Sequence, residues 1–291
     1  MMVRAAVLFL LLATACAQIA PRPNLRVDSD LILVPVAVVD QQNHPVTGLT
    51  QENFRVFDDG AERSVTTFAM DDEPVAVGLV FDHSGSVMRV MRNESVATHT
   101  FLRISNPADE YFLVEFASKP ELAVPMSKGN EEVQYRILTM KSGGLTALHD
   151  AVILGLNELK KSTLKRKALL VVTDGGENHS RYSRKELEDV VNESDALIYA
   201  IAFHTGDSNF ELLKWMTELS GGRMFPADPQ DMPDIAAKIG LELRNRYVLG
   251  FAAGQIPRDG KIHSLRVQLI PPHGMPPLKA SWRRSYRAPG N

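Results

Sequence analysis

A single cysteine, Cys16, stands in this chain of 291 residues, so no intrachain disulfide can form and packing must hold the fold together. Excess charge of one sign is also missing. Thirty-two Lys and Arg against 35 Asp and Glu leave a formal net charge of −3, which argues against nucleic acid as a bulk electrostatic partner. The apolar run at residues 5–13 is too short to span a bilayer as a mature helix. The residue patterns of common enzymes are absent: no His-Glu-x-x-His, no Gly-x-x-x-x-Gly-Lys-Ser/Thr, no Gly-x-Ser-x-Gly. Asp82, His83 and Ser84 are adjacent, and adjacent residues cannot line up as nucleophile, base and orienting acid. No evident general base accompanies them, so the sequence reads as a protein that is not an enzyme. Internal repeats and low-complexity segments are lacking too.

What is present begins with a leader. Arg4 precedes the apolar run, and Ala15-Cys16-Ala17 fits the small-residue rule for cleavage before Gln18, so residues 1–17 read as a signal peptide and the chain as exported, periplasmic or at the cell surface. The competing reading makes Cys16 a lipid anchor, although residues 13–16 match a lipobox only weakly because the usual leucine is missing. Hydrophobic content of 44% with 23% charged residues is ordinary for a soluble globular chain.

Between residues 74 and 245 apolar strand-like runs alternate with amphipathic helical patterns, which predicts an α/β unit with a doubly wound, mostly parallel sheet flanked by helices. Residues 75–81 and 167–172 read as buried parallel strands, and residues 147–159, 184–194, 210–220 and 232–244 as helices. Before this unit, residues 31–40, 53–57 and 65–69 are strand-like, and Pro35 suggests an edge or a bulge. After it, residues 246–251, 264–270 and 278–286 are strand-like, separated by Pro and Gly. The two flanks, 18–73 and 246–291, are expected to pair into one small β-sandwich-like module with the α/β unit inserted; two unrelated flanking segments are the alternative.

Three separated pieces supply hard oxygen donors. Asp82, Ser84 and Ser86 form Asp-x-Ser-x-Ser directly after the strand at 75–81, Thr146 opens a helix, and Asp174 follows the strand at 167–172. In open α/β sheets such positions converge at the carboxyl ends of strands. Two carboxylates and three hydroxyls suit Mg²⁺, with Mn²⁺ or Ca²⁺ also compatible, and none of the five is a soft ligand. Taken alone, Ser84 and Ser86 could equally cap the following helix. The histidines His83, His149 and His179 lie near these loops and could orient the ligands from behind, or be simply solvated polar residues. Asp150, one turn after Thr146, could hold a bound water or serve the helix dipole. The basic residues between 160 and 167 read as dipole compensation and solubility.

This motif set resembles the von Willebrand factor type A domain family over about residues 75–244, and most of all its bacterial secreted branch. The resemblance implies a metal-ion-dependent adhesion site. Ser84, Ser86 and Thr146 would bind the ion directly, Asp82 and Asp174 directly or through water, and a carboxylate of a partner protein would take the open position. His83 stands where the family more often has a small or β-branched residue, in a slot that is not a ligand. The resemblance also implies movement of the last helix, 232–244, on ligand binding. Two functions follow: a metal-dependent protein-binding module, or a structural component of the envelope whose metal is absent or purely stabilising. A chelatase-like role would need a separate ATPase, since the chain has no phosphate-binding loop.

Overall fold

The computed structural model describes residues 31–70, 73–89, 91–204 and 208–288; the expected leader, Cys16 included, lies outside them. Four strands come first: β1 (Leu31–Val39), β2 (Phe54–Asp58), β3 (Ala61–Arg63) and β4 (Thr67–Met70). The α/β unit follows as β5 (Val75–Asp82), α1 (Met91–Leu102), β6 (Glu110–Phe116), β7 (Pro120–Lys128), α2 (Glu131–Thr139), α3 (Leu148–Leu159), β8 (Arg166–Thr173), α4 (Arg184–Glu193), β9 (Leu197–Phe203), α5 (Phe210–Ser220), β10 (Met224–Ala227) and α6 (Met232–Arg244). The chain closes with β11 (Arg246–Ala252), β12 (Ile262–Leu269), β13 (Lys279–Trp282) and β14 (Ser285–Arg287).

The six-stranded central sheet has the order β10-β9-β8-β5-β6-β7. Its strands are parallel except β7, which returns antiparallel beside β6 after a link too short for a crossover. Every residue of β5 is buried because helices cover both faces. Val75, Val77, Leu79 and Phe81 pack with Phe101 of α1, Ile137 of α2 and Ile239 of α6. Ala76 and Val80 face the other way, toward Leu156 of α3, Leu187 of α4 and Leu213 of α5. The unit is therefore doubly wound, and its strand ends gather at one pole.

The flanks build two four-stranded antiparallel sheets, β13-β1-β11-β4 and β14-β12-β2-β3. Each joins strands from both ends of the chain: β1 runs beside β11 from Leu31↔Ala252 to Ala37↔Arg246, and β2 beside β12 from Asp58↔Leu265 to Phe54↔Leu269. Val36, Phe54, Val56, Tyr247, Leu249 and Val267 share one core between the sheets, as in a β-sandwich. Tyr247 ties this core to the loop after β1, since its hydroxyl donates to Val46 O (2.9 Å) and accepts from Leu49 N (3.0 Å). Tyr247→Phe keeps the ring but strands a buried N–H; urea unfolding is expected to show a loss of about 1–2 kcal/mol.

Three details depart from the sequence reading. Pro35 does not make β1 a simple edge strand. β13 joins β1 over Val36–Val39, so β1 is flanked on both sides at Val36 and Ala37, and Pro35 sits where β11 is the one neighbour. Residues 278–286 form two strands in different sheets, because the chain between them is drawn onto the α/β unit: Arg284 N donates to Leu219 O (3.2 Å) and Arg283 Nη2 to Asn192 O (2.8 Å). Beyond the turn at 58–60, β3 completes a hairpin with β2.

A buried ionic network fastens the α/β unit to the sandwich. Glu242 of α6 accepts from Tyr199 (2.8 Å), Arg246 (3.2 Å) and Arg223 (2.8 Å), and Arg223 also donates to Asn43 in the turn after β1. Two residues on, Arg244 pairs with the buried Asp109, which also accepts from Val75 N (2.8 Å).

Candidate metal centre

Asp82 ends β5 with its carboxylate buried, one oxygen accepting from Thr173 Oγ1 (2.6 Å) and the other from Ser84 N (2.9 Å). These bonds fix the carboxylate and turn the chain so that the side chains of Ser84 and Ser86 meet, their hydroxyl oxygens 3.2 Å apart. The turn is tied to the loop that carries Thr146: Gly85 N donates to Gly144 O (3.2 Å) and Gly143 N to His83 O (2.7 Å). Thr146 is held from the third piece. Its N–H donates to Asn178 Oδ1 (2.9 Å), and its carbonyl accepts from Asn178 N and His179 N (both 3.0 Å).

Asp174 follows β8 and is buried. Gly175 beside it has φ +77°, and a Cβ there would lie 2.2 Å from Asn209 O, so only glycine fits this turn. At Gly176 a Cβ would lie 3.1 Å from Asp174 Oδ1 and 3.8 Å from Thr146 Oγ1, so those two oxygens flank one small space. The loop hydrogen bonds thus bring all three sequence pieces to one pole of the sheet.

The charge balance here is unusual. Burial pushes the Asp82 carboxyl above the ordinary range against its hydrogen bonds from Ser84 and Thr173, and the charge of Asp174 pushes the same way. Glu94 of α1 adds a third acid, buried with both oxygens lacking any hydrogen-bond partner. Burial first, then the Asp82 charge, push its carboxyl well above the ordinary range. Among the described residues no lysine or arginine pairs with Asp82 or Glu94. Buried carboxylates without a cationic side chain, beside three hydroxyls, fit a hard divalent cation.

The neighbouring residues have identifiable tasks. His83 Nδ1 bonds Lys141 O (2.9 Å) and His149 Nδ1 bonds Tyr182 O (2.9 Å), while the backbone N–H of His179 bonds Thr146 O. Asp150 accepts from Arg181 N (2.9 Å), Tyr182 N (3.0 Å) and Arg181 Nε (3.2 Å), so it pins the loop after Asp174. Sequence reasoning missed Thr173, Asn178 and Glu177, whose carboxylate accepts from His149 N, His179 N and Ser180 N. It also missed Glu94, which in a helical pattern looks like any solvated acid.

A second acidic cluster lies in the sandwich, where Asp58, Asp59 and His263 offer ligand atoms within 4.8 Å of one another. Both oxygens of Asp58 are already engaged, by Arg63 Nη2 (2.8 Å) and Tyr286 OH (3.0 Å). A guanidinium on one oxygen makes this an internal ion network and a poor cation site.

Residues 77–177 match the family profile of the von Willebrand factor type A domain. The chain contains a von Willebrand factor type A domain. Among solved structures, a von Willebrand factor type A protein from Catenulispora acidiphila shares 10% identity at a TM-score of 0.54, with 81% of this chain and 73% of that one covered. Proximal thread matrix protein 1 from the mussel byssus shares 16% identity at a TM-score of 0.52, covering 64% of this chain and 49% of that one. The conserved hypothetical protein BatB from Bacteroides thetaiotaomicron shares 13% identity at a TM-score of 0.48, covering 59% of this chain and all of that one. No curated protein matches the sequence. At these identities the likeness concerns the A-domain fold. Among the described residues no helix is long and apolar enough to cross a membrane.

Proposed function

We propose that the A domain of this chain is a divalent-cation-dependent binding site for a protein partner that presents a carboxylate, and that the chain works outside the cytoplasm. The observation that carries this reading is the convergence of Asp82, Ser84, Ser86, Thr146 and Asp174 at one pole, with no cationic side chain on Asp82 among the described residues.

Ser84, Ser86 and Thr146 would hold the ion with neutral oxygens, while Asp82 and Asp174 would balance its charge directly or through water. Mg²⁺ suits this set best, with Mn²⁺ and Ca²⁺ as alternatives. Neutral donors leave a bound cation electrophilic toward an external carboxylate. Leu145, next to Thr146, and Tyr182, beyond the Asp174 loop, are large apolar side chains left exposed, and they give a partner something to pack on. In this proposal the chain acts by binding and not by catalysis.

A displayed peptide library, panned on the full chain in Mg²⁺ and eluted with chelator, tests this. Enriched peptides are expected to carry Asp or Glu and to lose about tenfold or more in affinity, about 1.4 kcal/mol or more, when that residue becomes Asn or Gln. The same loss is expected in Thr146→Ala. Peptides that bind equally well in chelator would sink the proposal and favour a structural role.

A further inference from the structure

A cavity of about 450 Å³ opens at the pole opposite the metal centre, where the sandwich meets the amino ends of β8 and β9. Its floor is the outer face of the sheet β13-β1-β11-β4, whose alternate residues Val34, Leu249 and Phe68 turn into the sandwich core. Two cross-strand rows make that floor largely apolar, Pro35–Val248–Ala69 and Leu33–Gly250–Thr67. Leu33 is 49% exposed, and Leu31 on the same face 39%. Isolated exposed leucines are ordinary. These two line a concave space instead, with Leu197, Ser220 and Arg283 on the opposite wall.

Most polar groups of this cavity are already engaged. Ser220 Oγ donates to Thr217 O (3.0 Å) and accepts from Ile198 N (2.9 Å), and Asp195 pairs with Lys167 (3.2 Å). Arg166 donates to Glu73 O (3.1 Å) and to Leu243 O. Arg283 differs. Its Nε and Nη2 donate to main-chain carbonyls, Ser285 O and Asn192 O (2.8 Å), which hold the guanidinium without neutralising it. Asp195 acts on its charge only at a distance, and no carboxylate pairs with it among the described residues. Burial holds it below the ordinary guanidinium range, and it is still charged at neutral pH. A desolvated cation without a counter-ion, beside an apolar trough, matches a ligand with an anionic head and an apolar body.

We propose that this junction cavity binds a single-chain carboxylate of medium length, with its carboxylate on Arg283 and its chain along Leu33, Pro35, Val248 and Ala69. The volume lies in the lower half of the range for small-molecule pockets, roughly 300–1,000 Å³, which admits one acyl chain and excludes a two-chain lipid. Such pockets favour junctions between domains, and a ligand that touches both units fastens them. The proposal is independent of the metal centre, since it uses other residues at the other pole.

Calorimetric titration of the full chain with decanoate, beside decanol and acetate, tests it. Saturable uptake of about one decanoate per chain is expected. Decanol should bind about tenfold more weakly, the usual loss for a hydrogen bond to a charged group, and acetate should not bind measurably. Ala69→Trp fills the trough from an edge strand and should abolish uptake. Arg283→Met should erase the preference for the acid over the alcohol, whereas Asp82→Ala should leave uptake intact. Thermal unfolding without ligand checks that each variant is folded. Absence of saturable decanoate binding, equal affinity for decanoate and decanol, or uptake that survives in folded Ala69→Trp would overturn the proposal. Sedimentation of the same samples tests a second copy as the occupant: self-association that Ala69→Trp removes, in place of decanoate uptake, would overturn it too.

Discussion

Glu242→Ala is expected to lower the stability of the chain by about 3–5 kcal/mol, the range for removing one partner of a buried ion pair. Glu242 is buried at the end of α6 and accepts from three donors, Tyr199, Arg223 and Arg246. Arg246 is itself 2% exposed, and two of its guanidinium nitrogens have no partner even with Glu242 in place. Without the carboxylate, Arg246 keeps only Gly221 O (3.1 Å) and the Tyr199 hydroxyl, while its charge stays in a low-dielectric site. Arg223 loses the anchor that orients it toward Asn43, so the damage reaches the seam with the sandwich. A loss of this size is a large fraction of the roughly 5–15 kcal/mol that holds a domain together. The midpoint of thermal unfolding should fall by about 10 °C, given roughly 2–4 °C per kcal/mol for domains of about 150–250 residues. Replacing both partners, Glu242→Leu with Arg246→Met, should recover much of the loss, because the penalty comes from stranding a charge. A drop under about 1 kcal/mol in the single variant would mean that the network is far wetter than its burial indicates.

The same network bears on motion. The family resemblance implies that α6 shifts when the metal centre binds its ligand. Here the last turns of α6 are held by Arg244–Asp109 and by Glu242 with its two arginines. Travel of the helix along its axis would break buried ion pairs unless the sandwich travels with it, since β11 begins one residue after the Asn245 cap.

Much of this architecture was legible because apolar pattern and position coincide. The strands ending at Asp82 and near Asp174 are unbroken apolar runs, as two-sided burial requires, and the residues after them had to lie at the carboxyl ends of a parallel sheet. The flanks paired as their strand-like patterns suggested. Other parts carried no local signal. β3 is three residues without an apolar rhythm, and its existence depends on register with β2. The split of residues 278–286 is imposed by contacts of Arg283 and Arg284 with α4 and α5, far away in sequence. Glu94 could not be singled out, because helical spacing does not reveal that this acid is buried near Asp82. Glu242 and Arg246 stand four apart, a spacing that on a solvated helix would mean little; their tertiary surroundings make the pair consequential.

The second large effect concerns the metal. A cation that binds only the folded chain at a hundredfold excess over its dissociation constant stabilises it by about 2.7 kcal/mol. Asp82→Ala should abolish that gain, whatever it does to the metal-free chain. There, two effects oppose each other: the variant removes a carboxylate that burial disfavours, but leaves Thr173 Oγ1 and Ser84 N without their acceptor. The difference between stripped and metal-loaded protein is therefore the informative quantity.

The most direct measurement is a calorimetric titration of Mg²⁺, Mn²⁺ and Ca²⁺ into the chelator-stripped full chain, beside Asp82→Ala and Asp58→Ala. Saturable uptake of about one ion per chain, lost in Asp82→Ala and kept in Asp58→Ala, is the result that a hard-oxygen metal centre predicts. No uptake of any of the three ions, or uptake that survives Asp82→Ala, would contradict it.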